Sequence, residues 1–206
     1  MTQLQRSLLV LSILVTCSDS LFGQEAGEGR KNRIEAPSPD GQFAFRYTGE
    51  SEEEKQTYDL IDTRSGKVLM NVAESDPELG PSARFGMEVL WRSDSKAFAL
   101  TALLQKRGSE LSVYLRSGST YRAIELPELT ADIPEKLLRG KTANLNSQSA
   151  KQWQKDGSLV VEIETMSDGN GGSVTATRTV VLDFDQSNKA KIRKSTIKVT
   201  VEKEGD

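Results

Sequence analysis

Trp91-Arg92-Ser93-Asp94-Ser95-Lys96-Ala97-Phe98-Ala99-Leu100 is the stretch that decides the architecture. An aspartate is followed by a small residue and a polar one, and then by a strand. Aspartate caps its own turn through an Asx hydrogen bond, and Ser or Gly tolerates the backbone that follows. Phe98 and Leu100 then alternate with Ala97 and Ala99, which is the period of a strand. The same text appears at Ser38-Pro39-Asp40-Gly41-Gln42, where Phe43, Phe45 and Tyr47 alternate with Ala44 and Arg46. It appears again at Trp153-Gln154-Lys155-Asp156-Gly157-Ser158, where Val161 and Ile163 alternate with Glu162 and Glu164. Asp40, Asp94 and Asp156 thus recur at a spacing of fifty to sixty-odd residues. A period on that scale marks a stacked or radial array of supersecondary units.

Each unit continues with strand, turn and strand. Tyr58–Asp62 leads through Thr63-Arg64-Ser65-Gly66-Lys67 into Val68-Leu69-Met70. Leu111–Leu115 leads through Arg116-Ser117-Gly118-Ser119 into Tyr121–Leu126. Thr177–Phe184 leads through Asp185-Gln186-Ser187-Asn188 into a charged last strand, Ile192–Val201. Gly, Ser and Asn stand where hairpin turns need them.

The Ser-Pro-Asp-Gly turn, the Trp-Arg-Ser-Asp-Ser pentad and the Asp-x-x-Ser-Gly-Lys turn resemble the exported β-propeller repeat family, as found in Tol-type translocation proteins and peptidase propellers. The resemblance covers most of residues 36–201 and implies turn geometry rather than chemistry. Blades in such rings run about 40–50 residues, and rings hold about four to eight of them. Here there are three long units, about 36–90, 91–152 and 153–201. An open propeller-like fragment, a stacked β-meander sandwich and a ring completed by a second chain all satisfy the text. The expected class is all-β, with one short helix between units two and three. That helix is read at Thr130–Gly140, with Asp132 as its cap, Pro134 early, Glu135 three residues after Asp132 and Gly140 past the last turn. It is expected to pack Ile133, Leu137 and Leu138 against a sheet face, with docking of a partner as the other use.

The N-terminus reads as an address. Leu8–Val15 is apolar apart from Ser12 and follows a short polar lead containing Arg6. It is shorter than the ~20 residues that span a bilayer and fits the apolar core of a secretory signal. Residues 1–23 are taken as the signal, 24–35 as a flexible tether and 202–206 as a tail, which places the protein in the periplasm or outside the cell. Ser18-Asp19-Ser20 and Gly23 both offer cleavage sites. Leu14-Val15-Thr16-Cys17 resembles a bacterial lipobox, from which Thr16 departs. A lipid anchor at Cys17 is therefore the alternative to a soluble product, in which Cys17 is a small apolar residue of the signal.

Composition removes many chemistries. The 206 residues contain no histidine, which excludes a Ser-His-Asp triad, a Cys-His dyad, a His-ligated zinc and an imidazole proton shuttle. Cys17 is the only cysteine, so neither an intramolecular disulfide nor a thiol nucleophile is expected in the mature chain. The net charge of -3 gives no nucleic-acid footprint.

Several groups are candidates for chemistry. Asp40, Asp94 and Asp156 read as turn caps in separate units, not as a converging carboxylate cluster. Ser167-Asp168-Gly169-Asn170-Gly171-Gly172-Ser173 has a calcium-loop flavour but no closing acid, and reads as a hairpin tip. Glu50–Lys55 is a solvated charge run. Trp91 and Trp153, each three residues before an aspartate, are expected to pack between units rather than to line a sugar face. Lys189, Lys191, Arg193, Lys194 and Lys198 read as the charges of an edge strand. No catalytic, cofactor or metal residue emerges. The functional expectation is a non-catalytic binding or accessory module of the bacterial cell envelope, with an envelope protein or a glycan as partner. A carboxylate-dependent hydrolase using Glu162 or Glu164 with an aspartate of another unit, and a structural spacer, are the alternatives.

Overall fold

The computed structural model describes residues 33–49, 56–74, 86–103, 108–138, 145–169, 172–185 and 189–202. The apolar leader, Cys17, most of the expected tether, the Glu50–Lys55 run, Gly140 and residues 203–206 lie outside them.

Among the described residues, twelve strands and one helical turn follow in order: β1 (Arg33–Glu35), β2 (Phe43–Thr48), β3 (Thr57–Asp62), β4 (Val68–Glu74), β5 (Gly86–Trp91), β6 (Ala97–Leu103), β7 (Gly108–Ser117), β8 (Thr120–Ala123), α1 (Glu135–Leu138), β9 (Leu145–Trp153), β10 (Leu159–Gly169), β11 (Gly172–Phe184) and β12 (Ala190–Glu202). The fold is all-β. β1 to β4 form a four-stranded antiparallel sheet in chain order. The other eight form one sheet, β12-β11-β10-β9-β7-β6-β5, with β8 paired to the far end of β7. The chain therefore runs as three consecutive four-strand meanders. The second and third are joined by a short parallel contact, Gly108 opposite Asn146 and Ser109 opposite Ser147. Both sheets are open among the described residues: β1 and β4 end the first, β12 and β5 end the path of the second, and β8 has β7 as its one partner.

The aspartate turns all join the first strand of a meander to its second. The meanders therefore span 33–74, 86–123 and 145–202, each beginning a strand earlier than the motif-based boundaries at 36, 91 and 153. Trp91 and Trp153 end β5 and β9 rather than opening a unit. The tether is likewise shorter than expected, because Arg33–Glu35 pairs with Tyr47, Arg46 and Phe45 of β2. Glu202, expected in the tail, belongs to β12.

Two apolar layers hold the meanders together. Phe43, Phe45, Tyr47, Tyr58 and Leu60 of the first meet Phe98, Leu100 and Tyr121 of the second. Phe45 stacks on Tyr58 at 4.9 Å and meets Phe98 edge-on at 5.2 Å. On the other side of the second meander, Ala99, Leu111, Val113 and Ile124 belong to the same core as Leu159, Val161, Ile163, Val180 and Leu182 of the third. β6 is thus buried on both faces, which explains its almost unbroken apolar text. Each large side chain buried there stabilises the fold by about 1.5–3 kcal/mol.

The segment between meanders two and three is a connector, as expected, but its helix is one turn, Glu135–Leu138, rather than the span from Thr130. Leu129, Ala131 and Ile133 are all buried in the second core, with Thr130 and Asp132 between them. That is a period of two, so the segment packs as extended chain and turns helical only after Pro134. Leu137 and Leu138 pack against the same core.

Candidate functional site

The three aspartate turns share one set of hydrogen bonds. Oδ1 of Asp40, Asp94 and Asp156 accepts the backbone N–H of Gln42, Lys96 and Ser158 at 3.0, 2.9 and 3.1 Å. The N–H groups of Gly41, Ser95 and Gly157 donate to the carbonyls of Ser38, Arg92 and Gln154 at 2.9, 2.9 and 3.0 Å. All three residues take positive φ, 68°, 57° and 85°. Only Ser95 does so with a side chain. Its Oγ accepts the Asp40 N–H at 3.1 Å and its carbonyl accepts the Tyr121 hydroxyl at 2.6 Å. Turns one and two are therefore in contact, closer than independent units imply, yet each carboxylate accepts a backbone N–H of its own turn.

The electrostatics follow from these bonds. Hydrogen bonds from Arg92 hold the Asp94 carboxyl below its ordinary value. The Ser158 hydroxyl and then Arg193 push Asp156 down further. Asp40 is opposed by burial, but Ser38, Gln42 and Ser95 bring it down on balance. The Tyr121 phenol is pushed up to about 12 by burial, against the pull of Arg116.

Arg193 is more than an edge charge. β12 is a terminal strand of the eight-stranded sheet, and Lys194 and Lys198 are exposed on it. Arg193 reaches Asp156 Oδ2 at 2.8 Å, Gln154 Oε1 at 3.0 Å and Ser158 Oγ at 3.1 Å, so it closes the third turn. It also lies 3.2 Å from Asp183. That brings two carboxylates near each other on open surface, with a guanidinium between them. Glu162 pairs with Lys151 at 2.9 Å. The register places Asp168 opposite Ser173 and Gly169 opposite Gly172, a hairpin end. Asn170 and Gly171 lie outside the described residues.

Trp91 and Trp153 serve the contacts between meanders. The indole N–H of Trp91 donates to the Ala36 carbonyl. Its ring lies 5.8 Å from Phe45 and 5.0 Å from Phe98. Trp153 meets Phe184 at 5.5 Å, with the Arg92 guanidinium over its ring at 5.6 Å.

No pattern in the sequence announces a cleft of about 450 Å³ between the two sheets. Its walls are Arg33, Glu35 and Ala36 from β1 and beyond, Tyr47 and Tyr58 from β2 and β3, Gly86–Val89 from β5, and Leu103 at the end of β6. β1 and β5 are each a terminal strand of their sheet, so among the described residues a strand edge without a pairing partner stands on either side of the cleft. Trp91 pins one end of the cleft through Ala36, which is held at φ 46°. Gly86 makes room for Leu103, since a Cβ on it would fall 2.9 Å from Leu103 Cδ1. Leu103 is 45% exposed. Tyr58 is buried, and its phenol is pushed far above the ordinary range by burial and then by the adjacent Glu35, with which it is hydrogen-bonded. Glu35 also pairs with Arg33. Glu88 stands exposed at the rim. A smaller hollow of about 320 Å³ lies under the connector, between Thr130–Ile133, Leu138, Asn146 and Thr165.

The chain matches no protein-family model and no curated protein. Among solved structures it is similar to an uncharacterized protein from Listeria monocytogenes, at a TM-score of 0.34 and 10% identity, over 77% of this chain and 55% of that one. A likeness at that level carries no argument about fold or function.

Proposed function

We propose that this chain is a non-catalytic, exported binding module of the bacterial cell envelope, and that it binds its partner in the cleft between β1 and β5. The observation that carries the reading is a cavity of about 450 Å³ flanked by two strands that are terminal in their sheets among the described residues, within the size range of ligand clefts. The apolar leader supports export, and the absence of histidine narrows the catalytic options. The hydrolase reading finds its acids in the same cleft, as Glu35 and Glu88, not at Glu162 or Glu164. Glu35 is committed to Arg33 and Tyr58, which suits a wall of the cleft.

The test is site-specific photo-crosslinking of the full chain in its own host, with the reactive residue at Leu103 in the cleft or at Lys194 on β12. A discrete adduct from position 103 and none from 194 is the expected result. No adduct from 103 sinks the reading.

A further inference from the structure

We propose that the cleft takes an extended peptide segment of a partner protein, which adds as a strand to the open edge of β5 and sets a basic side chain against Glu88. This rests on the cleft being the binding site. Along a strand in an antiparallel pair, the N–H and C=O of one residue point to one side and those of the next to the other. Arg92 directs its N–H to Ala97 on the β6 side, and the register from Trp91–Phe98 to Gly86–Leu103 is unbroken. The backbones of Leu90 and Glu88 therefore face β6, and those of Val89 and Met87 face the side on which, among the described residues, no strand pairs with β5. Both Met87 and Val89 line the cleft. Open N–H and C=O groups of this kind are what β-strand addition uses for affinity, while pockets for alternate side chains set specificity.

The walls say which side chains fit. Met87, Val89 and Leu103 offer apolar surface. Glu88 is exposed on the same rim, and among the described residues no cation is paired with it, whereas Arg33 is already paired with Glu35. A basic residue complements that rim. A glycan is the poorer occupant, because sugars stack on exposed aromatic faces and the cleft's own rings, Tyr47 and Tyr58, are 8% and 1% exposed. Four residues of β5 line the cleft, about 13 Å of strand, which matches a peptide stretch of the same length.

The full chain is screened against a displayed library of random heptapeptides, and amide hydrogen exchange is then followed by NMR with an enriched peptide bound. The expected peptides alternate apolar and polar residues and carry Lys or Arg at one fixed position. Glu88→Lys, an exposed change that leaves the melting curve in place, weakens them at least tenfold and shifts the selection to Asp or Glu; Glu88→Gln serves if the lysine variant does not fold. Exchange slows at the amides of Met87 and Val89. Absence of enrichment, peptides without a basic preference, or binding untouched by both Glu88 variants overturns the proposal. If position 103 still crosslinks in the host, the peptide inference alone has failed. If it does not, the binding reading fails with it.

Discussion

The indole N–H of Trp153 donates to the carbonyl of Leu90 at 3.0 Å, repeating across the second junction what Trp91 does to Ala36 at 2.8 Å across the first. Each tryptophan stands three residues before its own aspartate, and each acceptor four before the aspartate of the preceding meander. Replacing the indole by phenylalanine keeps most of the ring packing and removes the donor. Trp91→Phe and Trp153→Phe are each expected to cost about 0.5–1.5 kcal/mol in urea unfolding. The acceptor of Trp153 is the residue bonded directly to Trp91, so the double variant should depart from their sum by about 0.5 kcal/mol or more.

Ser95 carries a conflict that two substitutions separate. Its left-handed backbone costs a residue with a side chain about 1–2 kcal/mol, and its hydroxyl satisfies the Asp40 N–H. Alanine keeps the strain and loses the bond, for a destabilisation of about 1–3 kcal/mol. Glycine loses the bond and relieves the strain. Ser95→Gly should therefore melt above Ser95→Ala, and the reverse order would show that the backbone strain is not what decides.

Gly108 sits where the second and third meanders join, at φ 105°. A Cβ there would fall 1.8 Å from the Asn146 carbonyl oxygen, and backbone does not yield as a flexible side chain does. Gly108→Ala should cost about 3–5 kcal/mol and speed amide exchange at Asn146 and Ser147, measured by NMR.

The acid limb follows from the carboxylates. The Asp94 and Asp156 carboxyls are held below their ordinary value in the folded chain. A group with a depressed folded pKa stabilises fully above its unfolded value, about 3.9, and that contribution is lost as pH falls through the folded value. With no histidine in the chain, Tm should be level between about pH 5.5 and 7.5 and fall below about pH 4. Asp156→Asn should lower the plateau and flatten the acid limb, read by circular dichroism across pH.

The strands and their turns are legible in the sequence because Asx turns and period-two alternation are local. Phe43, Phe45 and Tyr47 announce β2 without knowledge of anything else. Ala97–Leu100 announces a strand but not that both of its faces are covered, since that depends on two other meanders. At the connector two local signals compete, and the weaker one misleads. Pro134 and Glu135 suggest a helix, while Leu129, Ala131 and Ile133 already show the alternation of extended chain. The cleft is not legible at all. Arg33, Tyr58, Glu88 and Leu103 are scattered through the sequence, and only the placement of one sheet against another brings them together.

The tryptophan contact has a direction. Pro37 occupies the tryptophan's place in the first meander, and proline has no N–H to offer from side chain or backbone. At the other end, Gln152 occupies the acceptor's place, and the turn beside it is closed by Arg193. The first meander therefore offers no indole donor at the Pro37 position, while the Arg193 guanidinium ties the third turn to β12. The contact thus runs one way along the chain, each tryptophan reaching back to the meander before it.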